Sequence, residues 1–210
     1  MSDAETRAED FDLSSLVAEV AEKACRLEPV ISVVLQDLAD ANGGRLEDLD
    51  TRFKTEESIA RKMGDRLRQN PRISEGRLKR SINDALRYTV VTDAQGYADA
   101  VQEVLAGLEN ADYEFTEKDI RNSWPEDDLY KGINCTLRTR GGIDQFEVQF
   151  HTEESLQAKH EAHTLYEQRR SRETSPEDRA ELDGRMRELF GRILVPPNVG
   201  EIGRRVVRLR

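Results

Sequence analysis

Apolar residues recur at helical spacing through LSSLVAEVAEKACRLEPVISVVLQDLADAN, residues 13–42. Only Pro29 interrupts the period, so the segment predicts two helices or a single bent one. GGRLEDLDTRFK then reads as a connector. Thr55 predicts the cap of a third helix, TEESIARKMGDRLRQ, which should stop before Asn70 and Pro71. The run ALRYTVV, residues 85–91, is rich in β-branched residues and predicts a buried strand. Asp93 is the expected cap of AQGYADAVQEVLAGLEN, where Tyr97, Val101, Val104, Leu105 and Leu108 form one apolar stripe. YEFTEKDIRNSW is a weaker extended segment. INCTLRTR and IDQFEVQFH flank Gly141 and Gly142 and predict a hairpin. Along its second arm Phe146, Val148 and Phe150 alternate with Glu147, Gln149 and His151, so the first three should enter the core and the second three form a polar face. Thr152 opens another helix, and Ser175 followed by Pro176 opens the last. This order predicts a small mixed β-sheet flanked by helices, of the α/β or α+β class, with helical extensions at both ends and no internal repeat.

At 210 residues the chain suffices for one sizeable domain. It divides into an acidic tail and helices (1–50), a core (51–170) and a C-terminal helix with a basic tail (171–210). Charged residues make up 35% and hydrophobic ones 37%, with a net charge of −10. That balance disfavours non-specific nucleic-acid binding over the whole surface and permits a local basic pocket for phosphates. Cys25 and Cys135 lack metal-ligand spacing and are expected as reduced core residues. No charged-then-apolar leader opens the chain and no apolar run approaches the ~20 residues that span a bilayer, so a cytoplasmic protein with no membrane partner is expected.

Four clusters carry candidate chemistry, each with a plainer reading beside it. Arg52, Lys54, Ser58 and Lys62 lead onto and along the third helix, where cations and backbone donors suit a polyphosphate; the alternative is a solvated charged helix. Asp84 precedes a strand that places Arg87 and Thr89 on one face; it suits Mg²⁺, or is simply a cap or turn residue. Glu147, Gln149 and His151 are a polar strand face. Tyr130, Lys131 and Asn134 surround a glycine-containing bend, where the tyrosine either stacks on a base or packs.

Taken in order, these segments resemble the synthetase domain of the RelA/SpoT family. The resemblance rests on Arg52, Lys54, Ser58, Ile59 and Lys62, then Asp84, then Tyr130 and Ile133 before a strand, then Glu147 and Gln149 before Thr152, then Ala162, His163 and Tyr166. It spans residues 52–166. It implies a stand-alone pyrophosphokinase with a nucleotidyltransferase-like sheet, moving the β,γ-pyrophosphate of ATP to the 3′-hydroxyl of GTP or GDP, or of ATP, ADP or AMP. By the same resemblance Asp84 and Glu147 hold Mg²⁺, and Glu147 takes the acceptor's proton. Arg52, Lys54, Ser58, Lys62 and Arg87 hold ATP. Tyr130, Lys131, Asn134, Gln149 and His151 hold the acceptor, while His163 and Tyr166 buttress the hairpin.

The departures point to a divergent or toxin-like branch. Thr89 stands where the family has arginine, with Arg87 two residues earlier. His151 replaces another arginine, Asn134 a histidine and Leu129 a glycine. Alternative readings are a toxin acting on the 3′ end of tRNA along Arg169, Arg170, Arg172, Arg204, Arg205, Arg208 and Arg210, and a catalytically silent nucleotide sensor. An antitoxin partner and a homo-oligomer are compatible with the first of these.

Overall fold

The computed structural model describes residues 12–125, 129–142, 144–171 and 173–202. Helix α1, Leu13–Ala41, is capped by Asp12, whose side chain accepts from the Ser15 amide at 3.1 Å. Pro29 lies inside it without ending it. A mid-helix proline costs about 3 kcal/mol, and burial of Leu16, Val17, Val20 and Ala24 before it and Ile31, Leu35 and Ala39 after it holds the helix continuous. Of the two expected outcomes, two helices or one, the single helix is found. Cys25 is corrected: it is exposed on α1, whereas Cys135 is buried.

Strand β1 (Arg45–Glu47) is too short to register as a periodic pattern. Helix α2 (Glu56–Gln69) is capped by Thr55 as expected, and a short α3 (Glu75–Arg80) precedes β2 (Arg87–Val91). Helix α4 (Tyr97–Asn110) starts later than predicted, with Gly96 at its cap, because Asp93 turns its carboxylate to the Gln95 amide instead. Strands β3 (Tyr113–Glu114) and β4 (Ile120–Asn122) lead to the hairpin of β5 (Ile133–Thr139) and β6 (Gln145–His151). Helices α5 (Glu153–Arg170) and α6 (Pro176–Gly191) follow, capped by Thr152 and Ser175. Among the described residues no helix is long and apolar enough to cross a membrane.

The sheet runs β1-β2-β6-β5-β3, with β4 also on β5, and only β2 and β6 are parallel. Mixed pairing with helices packed against it makes the fold α+β. Strand alternation sorts the faces. Tyr88, Val90, Ile133, Cys135, Leu137, Phe146, Val148 and Phe150 share one apolar core with α1 and α4. On the opposite face the register lays a polar row across five strands: Glu47 opposite Thr89, Thr89 opposite Gln149, Gln149 opposite Asn134, and Asn134 opposite Arg121. One rung away, Arg87, Glu147 and Thr136 align.

His151 ends this face in a way alternation alone does not show, because it is fully buried. Its Nδ1 lies 2.9 Å from Ser155 Oγ and its Nε2 lies 2.8 Å from the Tyr130 hydroxyl. Each ring nitrogen therefore has a hydroxyl within hydrogen-bond distance. Burial pushes its pKa down to about 3. Gly132 seals the arrangement: a Cβ there would stand 2.9 Å from the imidazole, 3.0 Å from the Tyr130 hydroxyl and 3.1 Å from the Phe150 carbonyl. Helix α6 packs on α5 through a separate cluster of Ala158, Ala162, Leu165, Leu182, Met186 and Phe190.

Gly132→Ala should destabilise the fold by roughly 1–3 kcal/mol through overpacking, read as a lowered urea midpoint at unchanged slope. An unfolded histidine titrates near 6.5, well above the folded value of about 3. The unfolded chain therefore binds the proton first as pH falls. Stability contributed by neutral His151 should be complete above about pH 6.5 and decline below it. Urea midpoints at pH 7.5 and 5 should show this loss, and His151→Gln should flatten it.

Candidate functional site

The residues from Arg52 to Lys54 approach α2 along the entrance of β2. Phe53 bridges Leu86, the Lys54 amide donates to the Ala85 carbonyl at 2.9 Å, and the Arg87 amide donates to the Arg52 carbonyl at 2.8 Å. Pinned there, Lys54 meets Asp84. Its Nζ lies 2.8 Å from Oδ2, while Lys62, two turns into α2, reaches Oδ1 at 2.8 Å. Burial alone would raise the Asp84 pKa, but the charges and hydrogen bonds of Lys62 and Lys54 outweigh it and bring the value down to about 2. Lys62 also donates to Asn83, whose amide donates to Thr136 Oγ1 at 2.7 Å, and Thr136 is the register partner of Glu147. The Glu147 amide in turn donates to the Leu86 carbonyl at 2.9 Å. Asp84 thus stands just ahead of β2, and Glu147 lies within the adjacent β6.

Arg52, Lys54, Asp84 and Arg87 border a cavity of about 650 Å³. Arg52, Lys54, Thr55 and Ser58 form one wall, and Asp84, Arg87, Asn134 and Gln149 belong to the floor. Tyr130 also lines it, half-buried, with its ring tilted against Phe190 of α6. Lys62 and Glu147 touch the lining through their partners: Lys62 holds Asp84, and Glu147 accepts from Gln149 Nε2 at 2.6 Å. Two predicted site residues lie elsewhere. His151 is enclosed beneath Tyr130, and Lys131 is buried with its Nζ 3.2 Å from the Trp124 carbonyl. Both are held by the close packing around Gly132 instead of lining the cavity.

Among the described residues Gln149 Oε1 and Asn134 Oδ1 have no hydrogen-bond partner although both are buried. They are register neighbours on the cavity floor. A pair of buried acceptors left without donors is costly, and a ligand bringing N–H or O–H groups would satisfy it.

Two contributors to the site, Glu28 and Lys159, were not read from the sequence. Helix α1 contributes Glu28, which accepts from Arg52 Nε at 2.9 Å and from Ser32; no local motif signals this. Helix α5 contributes a wall. Lys159, His163, Tyr166 and Arg170 follow one another at spacings of four, three and four, share one helical face and line the cavity. His163 and Tyr166 are exposed there, not packed beneath the hairpin. Arg169 pairs with Asp183 and Arg170 with Glu167 at 3.0 Å. Arg172, Arg204, Arg205, Arg208 and Arg210 lie outside the described residues.

No protein-family model matches the chain and no curated protein is matched. Solved structures do match. The protein smu.1046c from Streptococcus mutans UA159 aligns at 17% identity over 95% of this chain and 96% of that one, with a TM-score of 0.52. A GTP pyrophosphokinase family protein from Streptococcus pneumoniae aligns at 16% identity over 87% and 88%, with a TM-score of 0.52. Small alarmone synthetase 2 from Bacillus subtilis aligns at 13% identity over 86% and 93%, with a TM-score of 0.53. The chain therefore has the α+β fold of these structures, the fold implied by its ordered resemblance to RelA/SpoT synthetase domains.

Proposed function

We propose that the cavity transfers pyrophosphate from ATP to the 3′-hydroxyl of a purine nucleotide. The observation that carries this reading is the Lys54–Asp84–Lys62 cluster ahead of β2 with the Glu147–Gln149 pair on the neighbouring strand β6. Lys54, Lys62, Arg52 and Arg87 offer the charge needed for a triphosphate. Lys54 and Lys62 pair with Asp84 and Arg52 with Glu28, contacts for which the phosphates of ATP would compete. The orphaned acceptors of Gln149 and Asn134 suit the hydroxyls of the acceptor ribose beside Glu147. Tyr130 offers the acceptor base an aromatic face at the cavity surface.

The donor set fits Mg²⁺, which is commonly bound by one or two carboxylates together with substrate phosphates. Asp84, held ionised, and Glu147 are hard oxygen ligands at neighbouring positions, and among the described residues no group of three or more His, Cys, Asp or Glu side chains could hold a metal without such help. Bound there, the ion would supply further charge neutralisation. The chain's own work is then positional. Glu147 accepts the proton of the acceptor 3′-hydroxyl, whose oxygen forms a bond to the β-phosphorus. The bond between that phosphorus and the bridging oxygen on the α-phosphate breaks, and AMP leaves.

Glu147→Gln should slow transfer ~10²- to 10⁴-fold, as loss of a general base does, with ATP affinity by calorimetry nearly unchanged. Turnover near the wild-type rate would remove Glu147 from the reaction. Lys54→Ala should raise the KM for ATP by about ten- to a hundredfold, the worth of a charge-assisted hydrogen bond. An unchanged KM would return Lys54 to a structural tie. Offering GTP, ATP and deacylated tRNA as acceptors over a range of salt decides the acceptor class. A free nucleotide should show weak salt dependence, whereas steep loss with salt and product only on tRNA would replace this reading with the RNA one.

A further inference from the structure

Lys159 lies on α5 directly after the hairpin and lines the cavity with a largely covered side chain. Its Nζ is 3.2 Å from Asp48 Oδ2. Asp48 sits between β1 and the short turn leading to Arg52, in a left-handed backbone conformation with φ of 57°. Aspartate is among the few residues that accept this conformation readily, and it fixes where the carboxylate points. An ordinary tie between helix and loop explains part of this contact. It does not explain why a lysine is buried to make it, because His160 Nε2 already holds both Asp48 oxygens from the exposed side, at 2.9 and 3.1 Å. The ammonium has three donors, and Asp48 occupies one.

The groups around Lys159 place it at the reacting end of the cavity. It shares the cavity lining with Arg87 of β2 and with Gln149 of β6, whose Nε2 donates to Glu147, the register partner of Arg87. His151 below is neutral, and His160 faces outward on the same helix. The triphosphate clamp of Lys54 and Lys62 is built instead around Asp84, on α2 and its approach.

We propose that Lys159 is a further catalytic residue, whose ammonium contacts an oxygen of the pyrophosphoryl group as it moves between ATP and the acceptor, and that Asp48 is the residue positioning it. This rests on reading the cavity as a pyrophosphate-transfer site. Lys159 changes no covalent bond: the proton still passes to Glu147 and AMP still departs, while Lys159 neutralises charge on the group in flight. Burial lowers its pKa although Asp48 opposes the shift, because a poorly hydrated ammonium is disfavoured.

The test compares wild type, Lys159→Met, Lys159→Arg and Asp48→Asn in initial-rate assays over ATP concentration, together with acetic anhydride labelling of the wild type read by peptide mass spectrometry. Lys159→Met should lower kcat ~10²-fold or more, the usual loss when one preorganised donor to developing charge is removed, while KM for ATP stays within about threefold. Lys159→Arg should restore at least a tenth of the lost rate, and Asp48→Asn should lower kcat with the same small effect on KM. Mg-ATP with an acceptor nucleotide should shield Lys159 from acetylation. A Lys159→Met enzyme with kcat within about twofold of wild type, or one whose deficit lies wholly in KM, overturns the proposal. If wild type transfers pyrophosphate to nothing, the functional reading has failed, and labelling still decides the contact: shielding by Mg-ATP keeps Lys159 against the polyphosphate, and unchanged labelling removes it.

Discussion

Two ammonium groups share one largely covered carboxylate, and much of the site follows from that. Lys54, Asp84 and Lys62 come from the approach to α2, from the entrance of β2 and from α2 itself, so their ion pairs lock three segments together. Without Asp84 the lysines would face each other across a poorly hydrated gap, where like charges repel strongly. With it the cluster holds one uncompensated positive charge. Such an arrangement is stable when empty and attractive to an anion.

The same economy recurs around the cavity. Arg52 leans on Glu28, Lys159 on Asp48 and Arg169 on Asp183. Each of these cations is held in place by a carboxylate, so positive charge is already arranged around the cavity. The sheet makes this economy compatible with a stable fold. Its apolar face takes the core with α1 and α4, and the opposite rungs are left free for Arg87, Glu147, Gln149 and Asn134. A slip of one residue in β6 would exchange the two sets and lose both core and site.

Much of this was legible in the chain because its signals are local. Thr55, Thr152 and Ser175 cap the helices they were expected to cap, since a cap is written in three or four consecutive residues. The hairpin's alternation gave the correct core face, with Phe146, Val148 and Phe150 fully buried. What failed depends on distant packing. Cys25 is exposed because its position on α1 faces away from the core. His151 follows the alternation of its strand, but the chain around Tyr130 and the first turn of α5 close over it. Helix α5 hid its Lys159 for another reason. Its cations and polar residues face both solvent and cavity, so polarity alone did not separate the two sides of the helix.

The central claim is that this cavity moves two phosphates together, and positional labelling addresses it directly. ATP labelled at the β-phosphorus and ATP labelled at the γ-phosphorus are each incubated with the protein, Mg²⁺ and a purine nucleotide acceptor, and the products are separated. The account predicts that both labels reach the acceptor in equal amounts, with one AMP formed for each acceptor modified. Transfer of the γ label alone with formation of ADP, or release of either label as free phosphate without a modified acceptor, would contradict it.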